Sequence, residues 1–216
     1  MTIHDITDQF DFPRTSSHID LRTLGLGYYS LVFKYLQNLW RDDTNLIEDV
    51  NVDEREGDET FTGSVRSYSH LRIKSQRYGA ATAHRGKSAR YAYIDVRKPV
   101  EIQYIFRAEL PREHAPSLVA NFALVREFQR GEDLPRFPWD LWYVLNFFSK
   151  HSVITNGFRA LDLGVESWYS EKLGSLMVVS LEQFTGHLIL APIIVRGQDI
   201  WITVPYDHVS VLSLYW

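Results

Sequence analysis

The residues best suited to chemistry in this chain form a run of cations threaded with aromatic rings. Arg66, Arg72, Lys74, Arg77, Arg85, Lys87 and Arg90 follow one another, with Tyr68, His70, Tyr78, His84 and Tyr91 between them. Guanidinium and ammonium groups neutralise phosphates, and aromatic faces stack on bases, so this mixture suits a surface that holds a nucleic-acid strand. Gly79 and Gly86 lie inside the run, where a residue without a side chain lets backbone approach a partner closely. The competing reading is a solvated β-hairpin surface whose charges balance acids elsewhere in the chain.

Those acids are easy to find. The net charge of −4 over 216 residues conceals a segregation: residues 42–59 hold nine acids and one base, Arg55, whereas residues 66–98 hold nine bases and one acid, Asp95. The acidic stretch is expected to be a solvated linker, or else an internal mimic of a polyanion that folds back on the basic run.

Other chemistries find less support. The absence of cysteine excludes disulfides, thiol catalysis and cysteine-based zinc sites, and suits a reducing compartment. Eight histidines, His84 and His187 among them, are scattered without the paired spacing of metal ligands. Leu24-Gly25-Leu26-Gly27 lacks the later glycine and the preceding strand of a nucleotide loop, and no serine sits in a nucleophile elbow. Asp95, Glu101, Asp162 and Asp199 have no motif around them, so an enzyme, for instance a degenerate nuclease, is the weaker reading. Tyr93, Tyr104, Trp139, Trp142, Trp168, Tyr169 and Trp201 could build a cage for a methylated lysine, although such residues are more often core. No catalytic residue, metal site or small-molecule cofactor is expected.

The elements that must position the basic run are read from periodicity. Val100, Ile102, Tyr104, Phe106 and Ala108 alternate with Glu101, Gln103, Arg107 and Glu109, the signature of a half-buried strand. Residues 91–96 alternate before it and residues 119–128 extend after it, with Lys98-Pro99 and the 111–116 turn between. Upstream, residues 71–73 extend and Tyr78-Gly79 turns. Downstream, residues 176–181 extend, and residues 188–195 and 200–204 pair across Arg196-Gly197-Gln198-Asp199. Pro192 sends the first arm of that hairpin to an edge or a bulge. Leu24, Tyr28, Leu31, Val32, Tyr35, Leu36 and Leu39 recur at helical spacing over residues 24–41, with Asp20 or Thr23 as cap. The expected fold is mainly β: an antiparallel meander closing into a small barrel or sandwich over residues 64–216, behind an N-terminal arm and helix (1–41) and an acidic linker (42–63). Residues 1–12 carry acids and no apolar run, and residues 24–40 are interrupted by Lys34 and Gln37, so neither a secretory signal nor a membrane span is expected.

The order Tyr68-Ser69-His70-Leu71-Arg72-Ile73, then Pro99-Val100-Glu101-Ile102-Gln103-Tyr104-Ile105-Phe106, then Asn121-Phe122-Ala123-Leu124-Val125-Arg126-Glu127-Phe128, then Trp168-Tyr169, resembles the β-rich C-terminal region of proteins encoded by fungal CACTA-like and Plavaka-like DNA transposons. The resemblance covers residues 64–208 and contains no chemically diagnostic motif. It implies an accessory, nuclear module beside a transposase. With the basic run, the expected reading is a non-enzymatic module, nuclear or cytoplasmic, whose partner is DNA or RNA, a transposase or a chromatin protein, the alternative being a protein–protein interaction module that uses exposed aromatics. Residues 143–159 depart from the pattern. Codons allowed at Trp142-Tyr143-Val144, Ile154-Thr155-Asn156 and Phe158-Arg159 can spell a fungal intron start, branch site and end in the right order and in frame, so a retained intron is one reading of this segment and an ordinary apolar loop or short helix the other.

Overall fold

The computed structural model describes residues 10–49, 58–95, 97–112, 115–130, 134, 137, 165–170 and 172–206. In chain order these form β1 (Phe10–Asp11), β2 (Ser17–Asp20), α1 (Leu21–Leu24), α2 (Leu26–Leu39), β3 (Asn45–Glu48), β4 (Asp58–Phe61), β5 (Ser64–Tyr68), β6 (His70–Ile73), β7 (Gln76–Gly79), β8 (Tyr91–Ile94), β9 (Lys98–Leu110), β10 (Leu118–Phe128), β11 (Glu166–Tyr169), β12 (Leu173–Ser180), β13 (Phe184–Val195) and β14 (Gln198–Pro205). The protein is mainly β, and every described pairing but one is antiparallel. The exception is the parallel pair β3–β4.

The largest sheet has nine strands along the path β11-β14-β13-β8-β9-β10-β12, with β5 on β9 and β2 on β5. Its ends, β11 and β12, do not pair with each other, so no closed barrel forms among the described residues. The long strand β9 is the hub. β10 runs along one edge, while β8 and β5 share the other in tandem, β8 against Lys98–Glu101 and β5 against Ile105–Arg107.

The alternation expected of β9 is interrupted. Leu124 pairs with Tyr104 and Val125 with Ile102, which leaves Gln103 as an extra residue. A bulge of this kind moves every side chain beyond it to the opposite face. Tyr104, Phe106, Ala108 and Leu110 therefore join one apolar cluster, whereas Ile105, Ile102 and Val100 join another. β9 is buried on both faces rather than half-buried.

The first cluster is covered by α2. Tyr29, Val32, Phe33, Leu36 and Trp40 recur at three and four residues and meet Phe106, Phe122 and Leu124. Tyr35 packs on Phe122 with ring centroids 5.5 Å apart. The helix starts later than its sequence pattern suggests, because Gly25 at φ 135° separates it from α1, which Asp20 caps by accepting from the Arg22 amide. The second cluster joins β9 and β10 to β6 and β7 through Leu71, Ile73, Tyr78, Ile102, Ile105, Ala123 and Val125.

The acidic stretch is not a linker at its two ends. Leu46 in β3 and Phe61 in β4 are buried in the helix-side cluster, Gln37 Nε2 donates to the Leu46 carbonyl, and Tyr29 OH donates to that of Phe61. Apolar residues spaced among the acids are what fix these ends. Residues 50–57, the middle of that stretch, and residues 143–159, the intron-like insert, lie outside the described residues.

Candidate nucleic-acid interface

The basic run is built on the hairpin β6–β7. Its turn falls at Lys74 and Ser75, both in the left-handed region (φ 47° and 69°), and not at Tyr78-Gly79, which lie within β7. Two consecutive left-handed residues match the twist of a two-residue hairpin, a role usually taken by Asn-Gly, so Lys74-Ser75 gives no local signal. With the turn there, Leu71 faces Tyr78 and both point into the core. Arg72 then faces Arg77, and both are exposed. Strand β1 extends the row, setting Asp11 opposite Arg72.

A third guanidinium comes from the loop after β7. Arg77 Nη2 donates to the Arg85 carbonyl at 3.0 Å. His70 registers the combined charge: burial first, then Arg77, Arg72 and Arg85, hold its imidazole below its ordinary pKa, with Asp11 opposing. Its Nδ1 lies 2.9 Å from Ser69 Oγ. Lys74 sits exposed at the hairpin tip, and His84 and Lys87 are exposed in the loop.

The two glycines hold this loop in place by packing against each other. A Cβ on Gly79 would lie 2.2 Å from the Gly86 carbonyl oxygen, and one on Gly86 would lie 2.4 Å from the carbonyl oxygens of both Ala80 and Ser69. The close approach they permit is therefore within the chain itself. The loop is also bonded into the gap between β5 and β8 on the edge of β9: Ala81 N donates to Ile102 O at 2.7 Å, Ile102 N donates to Arg90 O at 2.8 Å, and Thr82 Oγ1 donates to Gln103 O at 2.7 Å.

The seven cations do not all share this place. Arg90 Nε pairs with Glu101 Oε1 at 2.9 Å, its other nitrogens donate to Lys87 O and Tyr91 OH, and its guanidinium lies over the Tyr91 ring. Its charge is matched by Glu101. Arg66 projects from β5 in the main sheet, opposite Arg107 of β9. Two of the interleaved aromatics are inward: Tyr68 packs on Phe12 at 4.5 Å between centroids, and Tyr78 stacks on His187 at 4.3 Å. Strand alternation buries them, so these tyrosines belong to the core and not to a base-stacking platform.

The remaining candidates separate. Asp95 accepts from Lys98 and Gln183 at the β8–β9 turn, and these bonds hold its carboxyl below the usual range; Glu101 is engaged by Arg90 and Gln103; Asp199 lies on β14; Asp162 is outside the described residues. Among the described residues no three His, Asp or Glu side chains gather as metal ligands would. Of the aromatic cage, Trp168 and Trp201 face each other across β11–β14 as half-buried rings and contact the buried Phe128, against which Tyr91 also packs. Tyr104 instead meets Tyr28 beside α2, Tyr93 is buried, Lys172 covers the Tyr169 ring, and Trp139 and Trp142 are outside the described residues.

Sequence reasoning missed Asp11 and Arg107 as neighbours of the basic residues. Only strand register reveals either, since Arg107 had been placed on the polar side of its strand with no signal of its partner. No helix among the described residues is long and apolar enough to cross a membrane. No protein-family model matches this chain, and neither a curated protein nor a solved structure matches it.

Proposed function

We propose that this protein is a non-enzymatic module that holds the phosphate backbone of DNA or RNA on the outer face of β6–β7. The observation that carries the reading is the concentration of Arg72, Arg77 and Arg85 around His70, with Arg72 and Arg77 directly opposed in register and exposed. Like charges set opposite each other on a sheet are unfavourable unless an anion joins them. Lys74 and Lys87 extend the patch. The overall charge of −4 does not prevent this, because at physiological salt screening acts within about 8 Å. Sequence selectivity is slight in this reading, since backbone contacts carry no base information. The resemblance to transposon-encoded proteins makes a transposase or chromatin protein the natural companion, in the nucleus.

Fluorescence anisotropy with labelled single-stranded and duplex DNA and RNA, at rising salt, tests it. Arg72→Gln/Arg77→Gln should reduce the slope of log affinity against log salt by about 2 if each arginine neutralises one phosphate. Equal binding by the double variant, or no binding by the wild type at low salt, overturns the reading.

A further inference from the structure

A second pair of arginines is opposed in the same manner, in a different sheet. Arg66 on β5 is the register partner of Arg107 on β9, which in turn is the partner of Asn121 on β10. His18 on β2 is the partner of Arg66. Register partners project from the same face, with Cβ atoms about 5 Å apart. The result is a row, His18–Arg66–Arg107–Asn121, across four strands and just beyond the second apolar cluster, which Tyr68, Ile105 and Ala123 of the same strands enter.

The row is incomplete in three respects. Arg107 Nε is buried without an acceptor, Asn121 Oδ1 is buried without a donor, and Arg66 makes no ion pair among the described residues. Glu109, two residues along β9 from Arg107, pairs with neither arginine. A buried donor without a partner and two register-paired arginines without a counter-ion among the described residues are each unfavourable. A tetrahedral oxyanion meets all three requirements. Its oxygens accept from both arginines, and a protonated phosphate oxygen donates to Asn121 Oδ1.

We propose that Arg66, Arg107 and Asn121 form a binding site for a phosphate group, with His18 at its open end. The site goes beyond the backbone-binding patch and shares no residue with the Arg72–Arg77–Arg85 cluster.

The test uses inorganic phosphate and the full chain carrying Arg72→Gln/Arg77→Gln, so that the first patch is removed and only this row remains. Calorimetric titration should show phosphate binding in that background, weakened about tenfold or more by adding Arg107→Met. Arg66→Gln, at an exposed position, guards against a folding defect and should weaken binding likewise. In phosphate-free buffer Arg66→Gln should not lower Tm, because it relieves repulsion, whereas the rise of Tm with phosphate should be lost. Absence of phosphate binding in the background protein, affinity unchanged by both substitutions, or a lower phosphate-free Tm for Arg66→Gln overturns the proposal. Nucleic-acid binding by the wild type is measured separately, so the two readings fail independently.

Discussion

His70 ties the charge of the basic patch to pH. Burial and the neighbouring arginines lower its pKa from 6.5, so the folded protein binds fewer protons than the unfolded chain just below that value. Its contribution to stability is fully present above pH 6.5 and is lost as pH falls through 6.5 toward the folded pKa. Urea titrations at pH 7.5 and pH 5.5 should show a smaller drop in stability for His70→Gln than for the wild type; an equal drop would remove His70 from this role. A phosphate bound by the arginines opposes this shift, since it favours the imidazolium. Tyr93 makes a different case. Its hydroxyl is buried near Thr203, but Thr203 Oγ1 already accepts from Trp168 Nε1 and no well-formed bond joins the two. Burial pushes the phenol up to about 12 despite the influence of Thr203. Tyr93→Phe removes an orphaned hydroxyl and should leave Tm unchanged or raise it, by up to about 1 kcal/mol in stability. A loss larger than that in chemical denaturation would mean that the hydroxyl is satisfied in solution.

At the scale of elements, the loop carrying Arg85 depends on two residues that lack side chains. Gly79→Ala places a methyl 2.2 Å from backbone that cannot yield without moving the loop, so a destabilisation of about 2 kcal/mol or more is expected, together with weaker nucleic-acid binding. Gly197→Ala, by contrast, stands at positive φ (78°) but meets nothing within 4 Å, so it should cost about 1 kcal/mol from backbone strain and leave binding intact. Thermal melts and anisotropy on the two variants separate close packing from conformational strain. On the opposite side of the sheet, Phe122 is fully buried between Tyr35 and Phe106, and Phe122→Ala should cost about 3–5 kcal/mol.

For the molecule as a whole, the antiparallel meander was legible because the sequence of β9 reads as alternating, residues 119–128 form an extended apolar run after it, and prolines mark the boundaries. The face of each residue in β9 was not legible, since one extra residue at Gln103 reverses the parity and leaves no mark in composition. The β6–β7 turn was misplaced because Lys74-Ser75 lacks turn chemistry while Gly79, needed for close packing, looks like a turn residue. The acidic stretch read as a linker because nine acids outweigh Leu46 and Phe61, the two side chains that fasten its ends. Of the candidate site, the cations were legible and their grouping was not: register decides that Arg77 meets Arg72 while Arg66 meets Arg107. Neutralising Asp53, Glu54 and Glu56 together to Asn and Gln tests whether the acids mask the patch. Tighter DNA binding at low salt is the expected result, and unchanged affinity would assign the acids no masking role. The intron-like reading of residues 143–159 is decided by transcripts of the locus, which should include a spliced form lacking them.

The tandem seating of β8 and β5 on one edge of β9 sets an order of assembly. Ile94 pairs with Lys98 only four positions away, and Leu110 pairs with Leu118 across a short connection, whereas Arg66 must find Arg107. Closing the longer loop carries the greater entropic cost, so β8–β9–β10 is the expected nucleus and β5, bringing β2, docks late. In stopped-flow kinetics Ile102→Val should slow folding, while Val65→Ala should mainly speed unfolding. Until β5 arrives, half of that edge stands open along a strand buried on both faces in the finished fold, and a second unfinished copy can pair there. Aggregation during refolding should therefore rise steeply with protein concentration in the Val65→Ala variant, and far less in one weakened at Leu36 on α2.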